Sequence, residues 1–347
     1  MRVAVIHNAI TREDSADETD VLLQLDSVSS ALYELEHDVI VLSCSLDLSK
    51  IKNELENIKP DLVFNLVESL NGDDSFIHLF PTLLDTLRIP YTGSNATAIY
   101  LTSHKILSKE RMQLLNLPTP AWIGPYPQQF PFIQTASSLC NDPQYYTWLI
   151  KSVSQHASIG IDQHSLISNS SYAKLMDQLK IKSRDLCGSC FAELYIEGRE
   201  FNLSILSNRN DPQVLPPAEI VFDHFSEHMP KIVGYRAKWD TDSYEYQHTP
   251  RTFSFSKNDA ALLDTLSQLA LRAFNGFGLS GYARVDFRVD ADGTPYILEI
   301  NANPCLSKDA GFAAAIEQAN LTYVQAIQMI LHNTTEHHIS TKHPAIS

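Results

Sequence analysis

The sequence contains no long apolar run, no excess of positive charge and no organised set of cysteines. Because its apolar runs fall short of the ~18 residues that span a bilayer, we expect no membrane association. The first residues, Met1–Asn8, turn polar too early for a signal peptide and are typical of a buried first strand. The formal net charge of −15 argues against a nucleic-acid-binding surface but leaves room for a local basic pocket.

The cysteines are odd in number and scattered along the chain. Such a set fits a reducing cytoplasm better than a disulfide framework, so we expect a cytoplasmic protein. Cys187 and Cys190 form a CxxC motif, but a zinc site would need a second ligand pair at useful spacing. A redox motif would open a helix, whereas this one runs into the strand-like segment Phe191–Ile196. The five cysteines are Cys44, Cys140, Cys187, Cys190 and Cys305.

The composition, with 44% hydrophobic and 19% charged residues in a chain of 347, fits a globular protein of two or three domains. Strand-like and helical patterns alternate over residues 1–95, and this βαβαβ order predicts an open parallel sheet. Ligands of such sheets gather at the carboxyl ends of the strands, so the loops after the first and third strands are expected to flank a site. The segments are strands Val3–His7, Asp38–Leu42 and Pro60–Glu68 and helices Val21–Glu36 and Leu48–Ile58.

The rest of the chain mixes strands and helices. The expected fold class is α/β, with the N-terminal sheet at 1–95 and a polar tail at 333–347; the family resemblance given below implies α+β subdomains at 96–190 and 191–332. The expected elements are a helix over 104–116, a connector over 122–144, strand Thr147–Lys151, helix Ser171–Leu179, a hairpin of Phe191–Ile196 with Glu200–Ser207, a helix over 258–275, strands Gly281–Val289 and Thr294–Ile300, and a final helix Ala310–Leu331.

Two strands near the C-terminus bring oxygen donors together. The turn Asp290–Gly293 predicts an antiparallel hairpin, and alternation along the strand points Glu299 and Asn301 to one face. The hairpin can place Asp286 opposite them, with Arg284 on the same face. Two carboxylates and an amide without Cys or His favour Mg²⁺, or Mn²⁺, over zinc. A hairpin with solvated acids is the alternative, but Glu299 and Asn301 interrupt an apolar run, where burial without a partner is costly.

The segments Gly281–Phe287 (GYARVDF) and Leu298–Pro304 (LEINANP) resemble the paired metal-binding motifs of D-alanine–D-alanine ligases. The resemblance extends over roughly residues 1–331 and implies the ATP-grasp fold, in which two α+β subdomains clasp ATP. It also implies an ATP- and Mg²⁺-dependent carboxylate–amine ligase that forms an acyl phosphate, which an amine then attacks. Such a mechanism needs no protein nucleophile, in agreement with the lack of a Ser/His/Asp or Cys/His signature.

The resemblance also implies a set of nucleotide-binding residues. Lysines would neutralise the phosphates of ATP, since phosphoryl transfer depends mostly on positioning and charge. A single lysine is more often a solvated surface residue, but Lys151 ends an apolar strand. The implied set is Lys105, Lys151 and Lys238 at the phosphates, Glu193, Leu194 and Ile196 near the adenine, and Glu200 at the ribose hydroxyls.

The chain departs from the family where substrates are expected. Glu68 replaces a histidine, Trp239 replaces a tyrosine of the lid, Cys305 replaces a glycine, and no Gly-Gly pair follows the first strand. Glu18 is the best match to the glutamate that holds a substrate ammonium group, although five acids crowd its loop and a solvated loop is the alternative. The implied catalytic residues are Arg284 for oxyanionic species, Glu18, and Ser158 in the phosphate loop Ser154–Gly160; the implied substrate contacts are Glu68, Trp239, Asn303 and Leu306.

Retained nucleotide and metal residues beside altered substrate residues indicate a changed specificity. We expect small-molecule carboxylate and amine substrates of amino-acid or dipeptide type, with D-Ala–D-Ala formation itself as an alternative. The sequence is also compatible with a ligase for peptide or secondary-metabolite carboxylates, with a catalytically weak ATP-binding protein, and with a kinase that stops after phosphoryl transfer. The resemblance further suggests a homodimer through the N-terminal domain.

Overall fold

The N-terminal part of the chain forms a three-stranded parallel sheet, as the alternating pattern predicted. Its elements are β1 (Arg2–Asn8), α1 (Ala16–Glu34), β2 (Asp38–Cys44), α2 (Leu48–Ile58), β3 (Leu62–Leu66) and α3 (Leu79–Leu87). The strand order is β2-β1-β3, and every residue of β3 is buried because both faces of the sheet are covered. This computed structural model describes residues 1–10, 16–127, 143–209, 211–226 and 228–342, without the side chains of residues 16–18, 163 and 335–342.

A four-stranded antiparallel sheet occupies the middle of the chain. Its elements are α4 (Ala96–Ser103), α5 (Lys105–Leu114), β4 (Trp122–Tyr126), β5 (Trp148–Ser152), β6 (Leu166–Ile167), α6 (Tyr172–Asp185) and β7 (Cys190–Leu194). The strands pair in the order β4-β7-β5-β6. The His104 imidazole caps the N-terminus of α5, which fixes Lys105 at the first helical position. The predicted connector over 122–144 begins with strand β4, and residues 128–142 lie outside the described residues.

The C-terminal sheet has six strands and contains the predicted hairpin. Its elements are β8 (Arg199–Asn208), β9 (Asp211–Val214), β10 (Ala218–Ile220), α7 (Tyr235–Trp239), α8 (Tyr244–Gln247), β11 (Arg251–Thr252), α9 (Ala260–Gly276), β12 (Tyr282–Val289), β13 (Pro295–Asn301), α10 (Gly311–Gln318) and α11 (Tyr323–Lys342). The order is β11-β10-β8-β12-β13, with β9 pairing with β8. The β12–β13 hairpin therefore lies at one side of this sheet, where its side chains can face the central sheet.

The expected hairpin between Phe191–Ile196 and Glu200–Ser207 is wrong. Its two segments correspond to β7 and β8, which belong to different sheets. The chain passes between them through Gly198, whose φ is 147°. A Cβ atom at this position would stand 2.0 Å from the carbonyl oxygen of Val289, so the crossing requires glycine.

The final helix expected over Ala310–Leu331 is two helices, α10 and α11. Asn320 adopts a left-handed conformation, with φ 58°, at the end of the first helix. Reciprocal hydrogen bonds between Thr322 and Gln325 then begin the second. Helix α11 continues to Lys342, past the start of the expected polar tail.

The N-terminal sheet and the C-terminal helices share one apolar core. Val3 and Phe64 belong to the same buried cluster as Leu206, Ile327 and Ile330, and α1 packs against α11. Across the described part of the chain, no helix combines the length and apolar character needed to cross a bilayer. The domain bounds given above stay predictions, but the shared core fixes the two outer sheets relative to each other and so positions the cavity between them.

Candidate active site

A cavity of about 600 Å³ lies where the three sheets approach one another. Asn8 and Glu68 reach it from the carboxyl ends of β1 and β3, as expected for an open parallel sheet. Nearly all of the predicted site residues line it, so residues far apart in the sequence meet in one place. These are Lys105, Lys151, Ser158, Glu193, Leu194, Ile196, Glu200, Lys238, Arg284, Asp286, Glu299 and Asn301, with Glu68, Trp239 and Asn303 at the expected substrate end.

Two predicted residues are not seen in the cavity. The side chain of Leu306 is 1% exposed and packs in the apolar core, which contradicts a contact between this side chain and a substrate. Only its backbone N–H faces the polar network, where it donates to Oε1 of Gln24 at 3.0 Å. The side chain of Glu18 lies outside the described residues. Asp20, half a helical turn from that position, does line the cavity.

The β12–β13 hairpin places its polar side chains on one face. Asp286 stands opposite Glu299 and Arg284 opposite Asn301 in the strand register. The Arg284 guanidinium donates to both oxygens of Asp286, at 2.8 and 2.9 Å, which is the strong two-point arrangement. Although burial opposes ionisation of Glu299, nearby Lys105 and the His156 imidazole, 3.2 Å away, hold its pKa well below its ordinary value. The hairpin thus presents two carboxyl groups and a guanidinium to one space.

A lysine that sequence reasoning missed stands at the expected adenine end. Glu193, on β7, forms ion pairs with Lys151 of β5 and with Lys109 of α5, the latter at 2.7 Å. These two lysines hold the pKa of Glu193 below its ordinary value, although burial acts in the opposite direction. Lys109 follows Lys105 by four residues, so the two share one face of the helix. That spacing was the only signal for it in the sequence.

Glu200, expected at the ribose hydroxyls, is paired in this structure with Arg288. Their side-chain atoms are 3.0 Å apart, and the Arg288 guanidinium stands 5.1 Å from the ring centroid of Phe222. Burial raises the pKa of Glu200, while Arg288 opposes that change. Arg284, Asp286 and Arg288 occupy every second position of β12, so their side chains point to the same face. The orientation of Arg288 toward the cavity could therefore have been predicted from the two-residue period of the strand.

The phosphate loop and the lid segment are hydrogen-bonded to each other. Ala157 and Ser158 both adopt left-handed conformations, with φ 57° and 59°. The Trp239 indole N–H donates to the carbonyl oxygen of Ala157 at 3.1 Å, and the Ser158 hydroxyl donates to that of Val233 at 3.0 Å. These two side-chain contacts to backbone join the phosphate loop to residues 233–239, the lid, at this side of the cavity.

The segment that follows β3 makes a contact with the same loop that the sequence did not predict. A carboxylate oxygen of Asp74 accepts a hydrogen bond from the backbone N–H of His156 at 2.7 Å. Burial raises the pKa of Asp74, and the nearby His156 and Lys105 act against that rise. The loop after β3 therefore supports the phosphate loop directly, in addition to contributing Glu68.

A buried glutamine organises the expected substrate end. Gln24 is 1% exposed; its amide N–H donates to Glu68 at 2.7 Å, while its oxygen accepts from the Leu306 backbone. Although part of Glu68 faces the cavity, withdrawal from bulk water raises its pKa to about 7, and Asp20 adds to the effect. The Cys305 thiol donates to Asp20 at 3.0 Å, and burial raises the pKa of that thiol, which keeps it protonated.

The family model for the C-terminus of D-ala D-ala ligases matches residues 112–332. The chain belongs to the D-alanine–D-alanine ligase family. As a family member it is an ATP-dependent ligase that forms a carbon–nitrogen bond. The match covers the central and C-terminal sheets, and so it includes both Lys151 on β5 and the β12–β13 hairpin.

Similar proteins cover most of the chain. A D-alanine–D-alanine ligase of Moorella thermoacetica is 29% identical over 95% of this chain and 98% of its own. An uncharacterised protein of Sinorhizobium fredii, y4sG, is 28% identical over 88% of this chain and 85% of its own. The solved D-alanine–D-alanine ligase of Bacillus anthracis, complexed with ATP, superposes with a TM-score of 0.72 at 18% identity, over 98% of this chain and 99% of that one. At that identity the likeness establishes the fold alone.

The hairpin donors of this family member fit a magnesium ion by their chemistry. Asp286, Glu299 and Asn301 supply hard oxygen ligands, which Mg²⁺ prefers. Within the described ranges no three His, Cys, Asp or Glu side chains cluster as a metal site, so the protein would provide two carboxylates and one amide. Because Mg²⁺ usually binds through one or two carboxylates together with substrate phosphates and water, this set suits it.

Proposed function

We propose that this ligase joins a carboxylate to an amine through an acyl phosphate, and that its substrates are amino acids or dipeptides. The observation that carries the proposal is the meeting of Arg284, Asp286, Glu299 and Asn301 with three lysines around one cavity. A protein that only bound nucleotide would have little use for an arginine in this position. The proposed partners are therefore small-molecule carboxylates and amines.

Different residues of the cavity would serve different parts of such a reaction. Lys105, Lys151 and Lys238 would hold the phosphates of ATP, and a bound Mg²⁺ would neutralise phosphate charge at the hairpin. Arg284 uses two of its five N–H groups on Asp286, which leaves others free to stabilise the transferring phosphoryl group and the tetrahedral oxyanion. The covered phosphate loop would keep water from the acyl phosphate.

The substrate end supports an altered specificity. Glu68 receives one hydrogen bond from Gln24 and directs the rest of its carboxylate to the cavity, where it would attract an ammonium group. Asp20 lies next to it and is already bonded to Cys305 and Ser307. Glu68 stands where the family has a histidine, so we favour an amino-acid substrate other than D-alanine.

The test is to incubate the purified protein with ATP, Mg²⁺ and pairs of amino acids, and to measure phosphate release and the coupled product by mass spectrometry. We expect release that depends on one carboxylate and one amine, with an amide as product. ADP formation that needs no amine, releases no free phosphate and yields a stable acyl phosphate or other phosphorylated product would instead identify a kinase. Absence of amino-acid-dependent release from all pairs would refute this substrate class and point to a peptide or secondary-metabolite carboxylate.

One observation favours a second candidate, a catalytically weak ATP-binding protein. Lys151 is engaged by Glu193, and Asp286 is engaged by Arg284, so two of the residues expected to hold phosphate and metal already have strong partners. ATP that binds without turnover across the substrate panel would support this candidate. In either case we place the protein in the cytoplasm, because its described cysteines are unpaired, and we retain the homodimer as a part of the proposal that size measurement in solution can test.

A further inference from the structure

Lys109 is a fully buried lysine that the mechanism above does not use. Its side chain is 0% exposed, and it does not line the cavity. Its ammonium group forms an ion pair with Glu193 at 2.7 Å and donates hydrogen bonds to Thr119 and to the backbone oxygen of Pro120, both at 2.9 Å. The ammonium group also stands 5.3 Å from the ring centroid of Trp122. These contacts give the buried ammonium group partners on several sides and hold it where it is.

Glu193 lies between this lysine and a second one that differs from it in position. One carboxylate oxygen of Glu193 contacts Lys109, and the other contacts Lys151. The Lys151 side chain is 11% exposed and lines the cavity. Lys151 can therefore reach a ligand in the cavity. Lys109 is instead held away from the cavity by its contacts with Glu193, Thr119 and Pro120.

The buried carboxylate of Glu193 needs at least one counter-ion at all times. If Lys151 turned toward a phosphate, Glu193, whose side chain is 3% exposed, would lose one of its two counter-ions. A buried carboxylate without any counter-ion is strongly destabilising. With Lys109 still in place, the carboxylate keeps an ion pair after Lys151 has moved. Burial lowers the pKa of Lys109 to about 8, against the influence of Glu193, so the lysine remains mostly charged at neutral pH.

We propose that Lys109 is a positioning residue that stays on Glu193 as its fixed counter-ion, and so allows Lys151 to leave Glu193 for the phosphates of ATP. The inference rests on the proposed function, in which Lys151 binds phosphate and Glu193 faces the adenine. Its consequence is a coupling between a residue that never contacts the nucleotide and the affinity for the triphosphate.

The test is calorimetric binding of ATP and of adenosine to Lys109→Met. Without Lys109, Lys151 is the remaining counter-ion of Glu193 and must abandon it to bind phosphate. We expect ATP affinity to fall roughly tenfold to a hundredfold, while adenosine, which carries no phosphate, loses less. The double variant Lys109→Met/Glu193→Gln removes both charges, so its ATP affinity is expected to return to that of Glu193→Gln alone. The control is Lys52→Met, which removes a lysine from an exposed ion pair with Glu56.

A second measurement keeps the inference testable if Lys109→Met folds poorly. Thermal melting should show that Lys151→Met remains nearly as stable as the wild type, because Lys109 still compensates Glu193. Lys109→Met should be clearly less stable, because it also leaves the acceptors on Thr119 and Pro120 without their buried donor. Equal destabilisation by the two substitutions would overturn the inference. So would ATP binding by a folded Lys109→Met that is as tight as in the wild type. If the wild type itself bound no ATP, the proposed function would fail, and the inference with it.

Discussion

Replacing Glu68 by glutamine is expected to stabilise the protein while weakening its recognition of substrate. The glutamine retains an oxygen that can accept the hydrogen bond now donated by Gln24 at 2.7 Å. What the substitution removes is the negative charge, which the enclosed position and the neighbouring Asp20 and Asp74 make unfavourable. The charge is therefore maintained at the expense of stability, as is common at functional sites.

The size of this effect follows from the pKa of the carboxyl group. Its pKa is about 7 in the folded protein and 4.5 ordinarily, and this difference corresponds to an unfavourable contribution of up to about 3 kcal/mol. Because the folded-state pKa is the higher one, the cost is fully present above about pH 7 and disappears below about pH 4.5. The wild type therefore loses stability relative to Glu68→Gln as the pH rises through this window.

The assay is urea-induced unfolding followed by tryptophan fluorescence, without nucleotide, at pH 5 and pH 8. Glu68→Gln should exceed the wild type in unfolding free energy at pH 8 by up to about 3 kcal/mol, and by much less at pH 5. The exposed Glu36→Gln serves as the control and should show no such pH dependence. The same Glu68→Gln protein should require more amino-acid substrate for half-maximal phosphate release. A variant that is no more stable than the wild type at pH 8 would refute the reasoning.

Three further outcomes follow from the site. Asp286→Asn should lower amino-acid-dependent phosphate release at least about a hundredfold, and it should also lower the melting temperature, because Arg284 loses its charged partner; unchanged turnover by the folded variant would remove the hairpin from the reaction. Trp239→Phe, which loses the hydrogen bond to Ala157, should raise the ratio of ADP to amide product, because the acyl phosphate would be less protected from water; an unchanged ratio would contradict the role given to the lid. Iodoacetamide labelling with peptide mapping should modify the exposed Cys187 before Cys305, whose thiol is kept protonated by burial, and the reverse order would show that the substrate end is open.

The sequence was sufficient for the parts of the fold that local periodicity encodes. The parallel N-terminal sheet followed from apolar runs separated by amphipathic helices, and the β12–β13 hairpin followed from the turn Asp290–Gly293. The pairing of Asp286 with Glu299 depends in addition on a register shift between Asp286 and Phe287, which the two-residue period of strands does not predict. The segment around Gly198 was misread because a glycine between two strand-like runs is also the signal of a hairpin. A crossing between two sheets differs from a hairpin here by the close approach of the Val289 backbone to Gly198. Val289 is distant in sequence, so no local pattern could show this contact.

The missed site residues share a physical cause. Lys109 and Gln24 are polar residues on helices, where such side chains are usually solvated, and their burial depends on partners supplied by other elements. Lys109 is compensated by Glu193 of β7, and Gln24 by Glu68 and a backbone group of the loop after β13. A pattern of neighbouring residues in the sequence does not indicate such ion pairs and hydrogen bonds between distant residues. The expected nucleotide and hairpin residues, in contrast, lie mostly on strands whose alternation already directs them to the cavity.

The apolar cluster shared by the two ends of the chain has a consequence for biosynthesis. Val3 and Phe64, translated early, complete their packing only with Ile327 and Ile330, which emerge from the ribosome near the end of translation. Until then the nascent N-terminal segment exposes apolar surface of the kind that chaperones bind. A stop codon before α11 should therefore yield an aggregating polypeptide rather than a shortened enzyme, even though every residue of the cavity would be present.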